Sequence, residues 1–373
     1  MQSSVLIVSM VGDSHAAAVS WSLSQQERPC SLWCPELTPR LPASLTLCNG
    51  QPEELHLGEM APALPHGPRS VWMRRFTVPR MASAFPPGDQ QVARRELDCF
   101  LRGLTLAAGA GAFWANPPSA QRWGASQKLV QLRGAHALGI PIPDTLVTND
   151  VEEVKAFIRH SQGQVVYKPF YPAVWRSEAG REQHTMTTVI DEHMLSDPDS
   201  LSFCPGIVQR FVPKKCELRV AIFGRTCIAA RIDDQDPIDY RTSYDSLQVS
   251  PYTLPAAVER SLLDLMDELG LVMGMVDLIV TEAGEYVFLE VNEQGQFLWL
   301  EQMCPDIRLL EPFTEFLSSA DPWFHWTAPD RPELTFTEFL NSDAYRRFEA
   351  DTARQRTEYH DLLDESLVVV DSN

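Results

Sequence analysis

Apolar residues fall along this chain in short runs separated by turn residues. SVLIVSM (4–10) reads as a buried parallel strand, followed by the turn VGDSH and a helix from about Ala16 to Gln26. Residues 35–70 are rich in Pro and irregular, with short strands at best. SVWMRRF (70–76) predicts another strand, residues 90–109 a helix, and GAFWANPP (111–118) a strand stopped by two prolines, so a domain boundary is placed near Asn116. Ser119 to Leu138 is helical and closes at Gly139. TLVTN (145–149) is a short strand, and Asp150 caps the helix VEEVKAFIRH. VVYKPF (165–170) is a strand carrying a lysine, and 171–188 is polar, a loop or loose hairpin. Residues 206–233 alternate strand and turn, 255–270 form an amphipathic helix ending at Gly270, and MGMVDLIVTEAGEYVFLEVN gives two strands around a turn at Glu282–Gly284. Beyond about residue 325 the chain is acidic and helical. Strands and helices mixed in this way define an α/β protein.

The last hairpin breaks its own apolar pattern. In FLEVNEQGQF (288–297), Glu290 and Asn292 stand two apart, so period two sends both from one face of the strand. A turn centred on Ala283–Gly284 would set Asp277 opposite Glu290, with side chains about 5 Å apart. Two like charges that close repel unless a cation lies between them. Two carboxylates and an amide oxygen suit Mg²⁺, which takes one or two carboxylates together with phosphate oxygens.

Composition narrows the partners. The 373 residues exceed one simple core and imply two or three lobes. A net charge of −19 argues against nucleic acid, which needs a basic face. No apolar run approaches the roughly 20 residues that span a bilayer, and MQSSVLIVSM is no signal peptide. The eight cysteines show no metal spacing and read as reduced thiols of a cytoplasmic protein. There is no G-x-G-x-x-G, hence no dinucleotide fingerprint.

Magnesium with phosphate calls for cations. Lys128 lies on the helix after NPP, and Lys168 shares a strand face with Val166 and Phe170. A lysine in mid-strand costs burial unless it meets an anion. Glu217 and Arg219 share a face in ELRV, and Arg231 follows in IAARID. Singly, such residues are more often surface groups, and Glu217–Arg219 reads equally as an ion pair of little worth.

In this order the pieces resemble the ATP-grasp fold over most of residues 117–315: Lys128, the YKP strand, the hinge QRFVPKKCELRV, the AAR arginine, VDLIV and FLEVN. The resemblance implies two lobes gripping ATP. It gives phosphate and adenine contacts to Lys128 and Lys168, the adenine edge to the hinge at Gln209, Phe211 and Val212, and the ribose to Glu217. Arg219 and Arg231 would meet phosphate or acyl-phosphate oxygens, and Asp277, Glu290 and Asn292 would bind Mg²⁺.

A narrower resemblance runs from about residue 4 to 320. SVWMRR, WANPPSAQRWGASQKLVQLRGAHALGIPIPDTLVTN, DYR (239–241) and EVNEQGQFLWLE are similar to the microviridin-type (graspetide) peptide ligases. That family implies an N-terminal pre-ATP-grasp domain (1–115), a small lobe with a leader-binding and lid segment (116–208), a catalytic lobe (209–325) and here an extension (326–373). It implies a precursor peptide, leader plus core, whose Asp or Glu side chains are activated as acyl phosphates and joined to Ser, Thr or Lys. Arg241 would touch the substrate carboxylate, with Asp239 holding it or assisting deprotonation. Arg74, Arg75, Lys214 and Lys215 are further basic candidates for an acidic core peptide. Two features depart from the family: Glu293 follows Asn292 where a proline is common, and the tail is longer. The tail either packs as a surface helix or supplies a homodimer contact or substrate-binding element. The competing readings are a ligase adding an amino acid or amine to another carboxylate, and a non-catalytic nucleotide-binding scaffold.

Overall fold

The computed structural model describes residues 4–58, 67–81, 85–123, 127–161, 163–170, 174–176, 182–184, 187–234, 247–329 and 334–363. Asp239, Arg241 and most of the expected lid lie outside them.

The N-terminal part is built on a parallel sheet ordered Cys30–Trp33, Val5–Val8, Ser70–Met73, Phe113–Ala115. Val5–Val8 is buried on both faces, which is why its sequence is unbroken apolar. Val5 and Ile7 face the helix Ser14–Gln25, and Leu6 and Val8 face the helix Pro87–Ala108. Asp13 caps the first of these helices, accepting from the His15 and Ala16 amides. The helix expected over 119–138 is two, Pro118–Trp123 and Lys128–Ala137.

Besides the hairpin that pairs Val174–Arg176 with Glu182–His184, two larger antiparallel sheets follow. The smaller is ordered Thr188–Ile190, Val165–Lys168, Gly206–Arg210, Thr145–Thr148, with helix Val151–His160 packed on it. The larger is ordered Gln248–Tyr252, Thr226–Asp233, Cys216–Phe223, Met273–Val280, Tyr286–Asn292. Leu218, Val220 and Ile222 on one of its faces pack with helices Lys128–Ala137 and Ala256–Leu269, the latter ending at Gly270 in the left-handed region. Ala221, Phe223, Met273 and Met275 on the other face join the core shared with the N-terminal part.

The segment beyond residue 325 is not merely laid on the surface. Phe336 and Phe339 are buried against the N-terminal helix, where Phe339 meets Trp21 with ring centroids 5.7 Å apart. The buried carboxylate of Glu301 accepts from the Leu309, Leu310 and Phe336 amides, tying two helix starts together. Among the described residues no helix is long and apolar enough to cross a membrane.

Candidate active site

Asp277 does stand opposite Glu290, for a reason the sequence does not display. Near the turn the register runs Val280 to Tyr286 and Leu278 to Phe288, which centres the turn one half-residue earlier than expected. A bulge between Asp277 and Leu278 then shifts the pairing, so Asp277 meets Glu290 and Met275 meets Asn292. The bulge also separates Phe288 from Glu290. Strict period two would place them on one face; instead Phe288 joins Val291 and Leu278 in the helix-packed core, and Glu290 leaves the other face.

That face gathers the charged groups. Arg219 is the cross-strand partner of Asp277 and donates to both of its carboxylate oxygens at 2.9 and 3.0 Å. Lys128, at the first turn of its helix, reaches Glu290 at 3.0 Å. The two opposed acids are thus each met by a cation. Asn292 Oδ1 accepts from the Gln294 amide at 3.4 Å. Among the described residues no three His, Cys, Asp or Glu side chains form a metal cluster. A metal here would rest on two carboxylates and an amide oxygen, a hard-oxygen set that fits Mg²⁺ when substrate phosphates complete it.

Glu217 lies further along the same strand face as Arg219. Its Oε1 receives Lys214 Nζ at 2.5 Å, and the same ammonium reaches Asp234 at 3.0 Å. Burial pushes the Glu217 carboxyl up to about 7, which Lys214 only partly offsets. Burial works against the Lys214 ammonium too, but Glu217 and Asp234 outweigh it and hold its pKa above the ordinary value.

On the smaller sheet, Lys168 pairs with Ile207, and Val166 with Gln209, so these four side chains share a face. Gln209 is buried and donates to Thr145 Oγ1 at 3.0 Å. The Phe211 amide is already given to Gln164 O at 2.8 Å, so it is engaged at the hinge. Arg231 is not brought to the charged face. Its cross-strand partner is Leu218, which packs with the helices, whereas Arg219 pairs with Ala230. Its guanidinium is gripped there by Asp233 through two bonds of 2.7 Å.

Several groups in the site's frame carried no sequence signal. Gln131 is buried; its amide donates to Val291 O at 2.8 Å and accepts from Val291 N at 2.9 Å. It seals an edge strand whose outward groups would otherwise lack partners. The side chain of Asn116 accepts from the Val272 and Met273 amides and donates to Met273 O and Glu293 O. The loop after Asn292 is held by its carbonyls: Asn116 takes that of Glu293, Arg74 that of Gln294, and Arg219 that of Gln296. Gly295 permits this course, since a Cβ there would lie 2.2 Å from Met275 Cγ. Arg74 is therefore no surface group for a peptide: it is buried and 3.5 Å from Asp13. Lys214 is likewise committed. His15 Nε2 accepts from the Phe297 and Leu298 amides at 3.2 Å, and burial, then Arg74, depress its pKa to about 3. Burial raises the Glu293 carboxyl to about 7, and its Oε2 has no hydrogen-bond partner among the described residues.

No family model and no curated protein matches the chain. Solved structures do. The macrocyclase MdnC from Microcystis aeruginosa MRC, bound with the precursor peptide MdnA, is 26% identical, with 85% of this chain and 99% of that one covered at a TM-score of 0.75. A RiPP-associated ATP-grasp ligase from Chryseobacterium gregarium, in complex with ADP and a leader and core peptide, is 27% identical, with coverage of 86% and 98% and a TM-score of 0.76. The macrocyclase MdnB from Microcystis aeruginosa MRC is 26% identical, with coverage of 85% and 98% and a TM-score of 0.69. This likeness over 85–86% of the chain, on a fold of two antiparallel sheets joined by a hinge, makes it an ATP-grasp ligase. Within that class it is a ligase resembling the microviridin-type (graspetide) enzymes.

Proposed function

We propose that the chain uses ATP to activate Asp or Glu side chains of a ribosomally made precursor peptide and joins them to Ser or Thr hydroxyls as esters or to Lys amines as amides. The observation that carries this reading is the opposed pair Asp277–Glu290, each neutralised by Arg219 or Lys128, on the sheet face beside the hinge. The similar macrocyclase bound with a precursor peptide and the similar ligase in complex with ADP and a leader and core peptide support it. A carboxylate is a poor electrophile because its leaving group would be oxide. Transfer of the γ-phosphoryl group of ATP, a substrate here, gives an acyl phosphate whose leaving group is phosphate. The attacking hydroxyl or amine then loses a proton to a base.

The protein's work is positioning and charge neutralisation. Asp277, Glu290 and Asn292 would hold Mg²⁺, which supplies charge neutralisation at phosphate oxygens. Lys128, Lys168 and Arg219 meet the phosphates. The hinge from Gln209 to Val212 borders the adenine, and Glu217 accepts from the ribose. Arg241 orients the substrate carboxylate with Asp239 as base or support. The leader binds in the 116–208 lobe, 209–325 is the catalytic lobe, and 1–115 and 326–373 flank them. A homodimer and a cytoplasmic setting belong to the same reading.

The test is mass spectrometry of a precursor peptide incubated with the protein, ATP and Mg²⁺. Loss of one water per crosslink is expected, and base hydrolysis separates esters from amides. Turnover of ATP with no mass loss, or a gain equal to an added amino acid, overturns the crosslinking reading. Glu290→Gln should abolish product with the fold intact; full activity would remove Glu290 from the metal set.

A further inference from the structure

Lys214 has the geometry of an adjusting screw rather than a surface charge. It sits in the hinge between the Gly206–Arg210 and Cys216–Phe223 strands, and its side chain is only 7% exposed. The two acids it bridges are as enclosed, Glu217 at 10% and Asp234 at 4% side-chain exposure. Glu217 comes from the central strand and Asp234 directly follows the neighbouring strand Thr226–Asp233, so one ammonium ties hinge, central strand and neighbour together. Its contact uses Glu217 Oε1; among the described residues Oε2 accepts no hydrogen bond. Two carboxylates sharing one lysine leave an excess negative charge, and a carboxylate accepts hydroxyl hydrogens better than a neutral acid does.

We propose that Lys214 is a positioning residue: it favours the Glu217 carboxylate and turns it so that its free oxygen accepts from the vicinal hydroxyls of the nucleotide ribose. This rests on the reading of the cleft as an ATP site. It adds that discrimination between ribose and deoxyribose depends on a residue that does not touch the sugar. Removing the ammonium leaves Glu217 and Asp234 to repel one another, and burial then favours the protonated acid. Asp234 serves as the second anchor that keeps Lys214 in place.

The experiment compares the binding of ADP and 2′,3′-dideoxy-ADP, each with Mg²⁺, by calorimetry on the full chain. Hydrogen bonds to a charged group are worth about 1.5–3 kcal/mol, so the wild type should prefer ADP by roughly 10- to 100-fold. In Lys214→Met the preference should fall to about one, chiefly through weaker ADP binding, and Lys214→Arg should restore part of it. A purely structural lysine would weaken both ligands alike and keep the ratio. A wild-type ratio in Lys214→Met overturns the proposal; should that variant not fold, an undiminished ratio in Lys214→Gln does the same. Equal binding of the two ligands by the wild type shows that Glu217 does not read the sugar and also overturns it. Binding of neither ligand by the wild type removes the ATP-site reading itself, and the role of Lys214 with it.

Discussion

Gln131→Leu isolates the contact that seats the strand Tyr286–Asn292. The substitution keeps most of the side chain's volume and removes only its amide. Val291 N–H and C=O then lose their partners at 2.9 and 2.8 Å, on the outer side of an edge strand. Each buried backbone group left unsatisfied costs about 1–3 kcal/mol, so the pair should cost roughly 2–6 kcal/mol, less whatever entering water recovers. That is a large part of the ordinary stability of a domain. Urea denaturation gives the loss, read from the midpoint at constant slope. The functional effect should exceed what the fraction unfolded explains, because the same helix carries Lys128 to Glu290 and the same strand carries Glu290 and Asn292. Gln131→Glu sharpens the case: it has no N–H to give to Val291 O and sets a carboxylate against that carbonyl, so it should be at least as costly at neutral pH. Wild-type midpoints and turnover in both variants would refute the idea that Gln131 seals the strand and registers the site.

Other outcomes follow from the same geometry. Lys128→Met should weaken ATP binding and remove the 3.0 Å ion pair to Glu290; unchanged nucleotide affinity would remove Lys128 from the phosphate set. As a carboxylate Glu217 accepts from ribose better than as the neutral acid, so nucleotide affinity should fall as pH drops below about 7, by at most the roughly 10- to 100-fold that the contact is worth, and Glu217→Gln should flatten that profile. Stability moves the other way at this residue: its folded pKa lies above the unfolded value, so the native form binds the extra proton and loses stability as pH rises from about 4.5 to about 7. His15 has the opposite sign. With a folded pKa of about 3 against 6.5, its contribution is complete above pH 6.5 and is lost as pH falls, about 2 kcal/mol by pH 5. Urea curves at pH 7 and pH 5 should show that loss in the wild type and much less of it in His15→Gln. Arg231→Ala should leave nucleotide affinity near wild type, since the guanidinium is held by Asp233 on the far face; a collapse of ADP binding would contradict that placement.

The strands, the helix-packed faces and the odd pair of polar groups in FLEVN were legible in the sequence, because strand and helix periods are local and burial repeats with them. So was the facing of Asp277 and Glu290, reached by counting outward from a turn at Ala283–Gly284, although the turn itself centres half a residue earlier. What counting could not supply was the bulge. It corrects a turn centred elsewhere and turns Phe288 and Glu290 to opposite faces, a choice made by packing Phe288 with Val291 and Leu278. The same limit hid Arg231, whose face depends on the register between two strands rather than on its own neighbours. Gln131, Asn116 and the pairing of Lys214 with Asp234 were hidden for a related reason. A side chain that completes the backbone of a distant strand, or a charge shared across a hinge, has no period and no fixed spacing; only the assembled chain brings the partners together and excludes the water that would otherwise satisfy them.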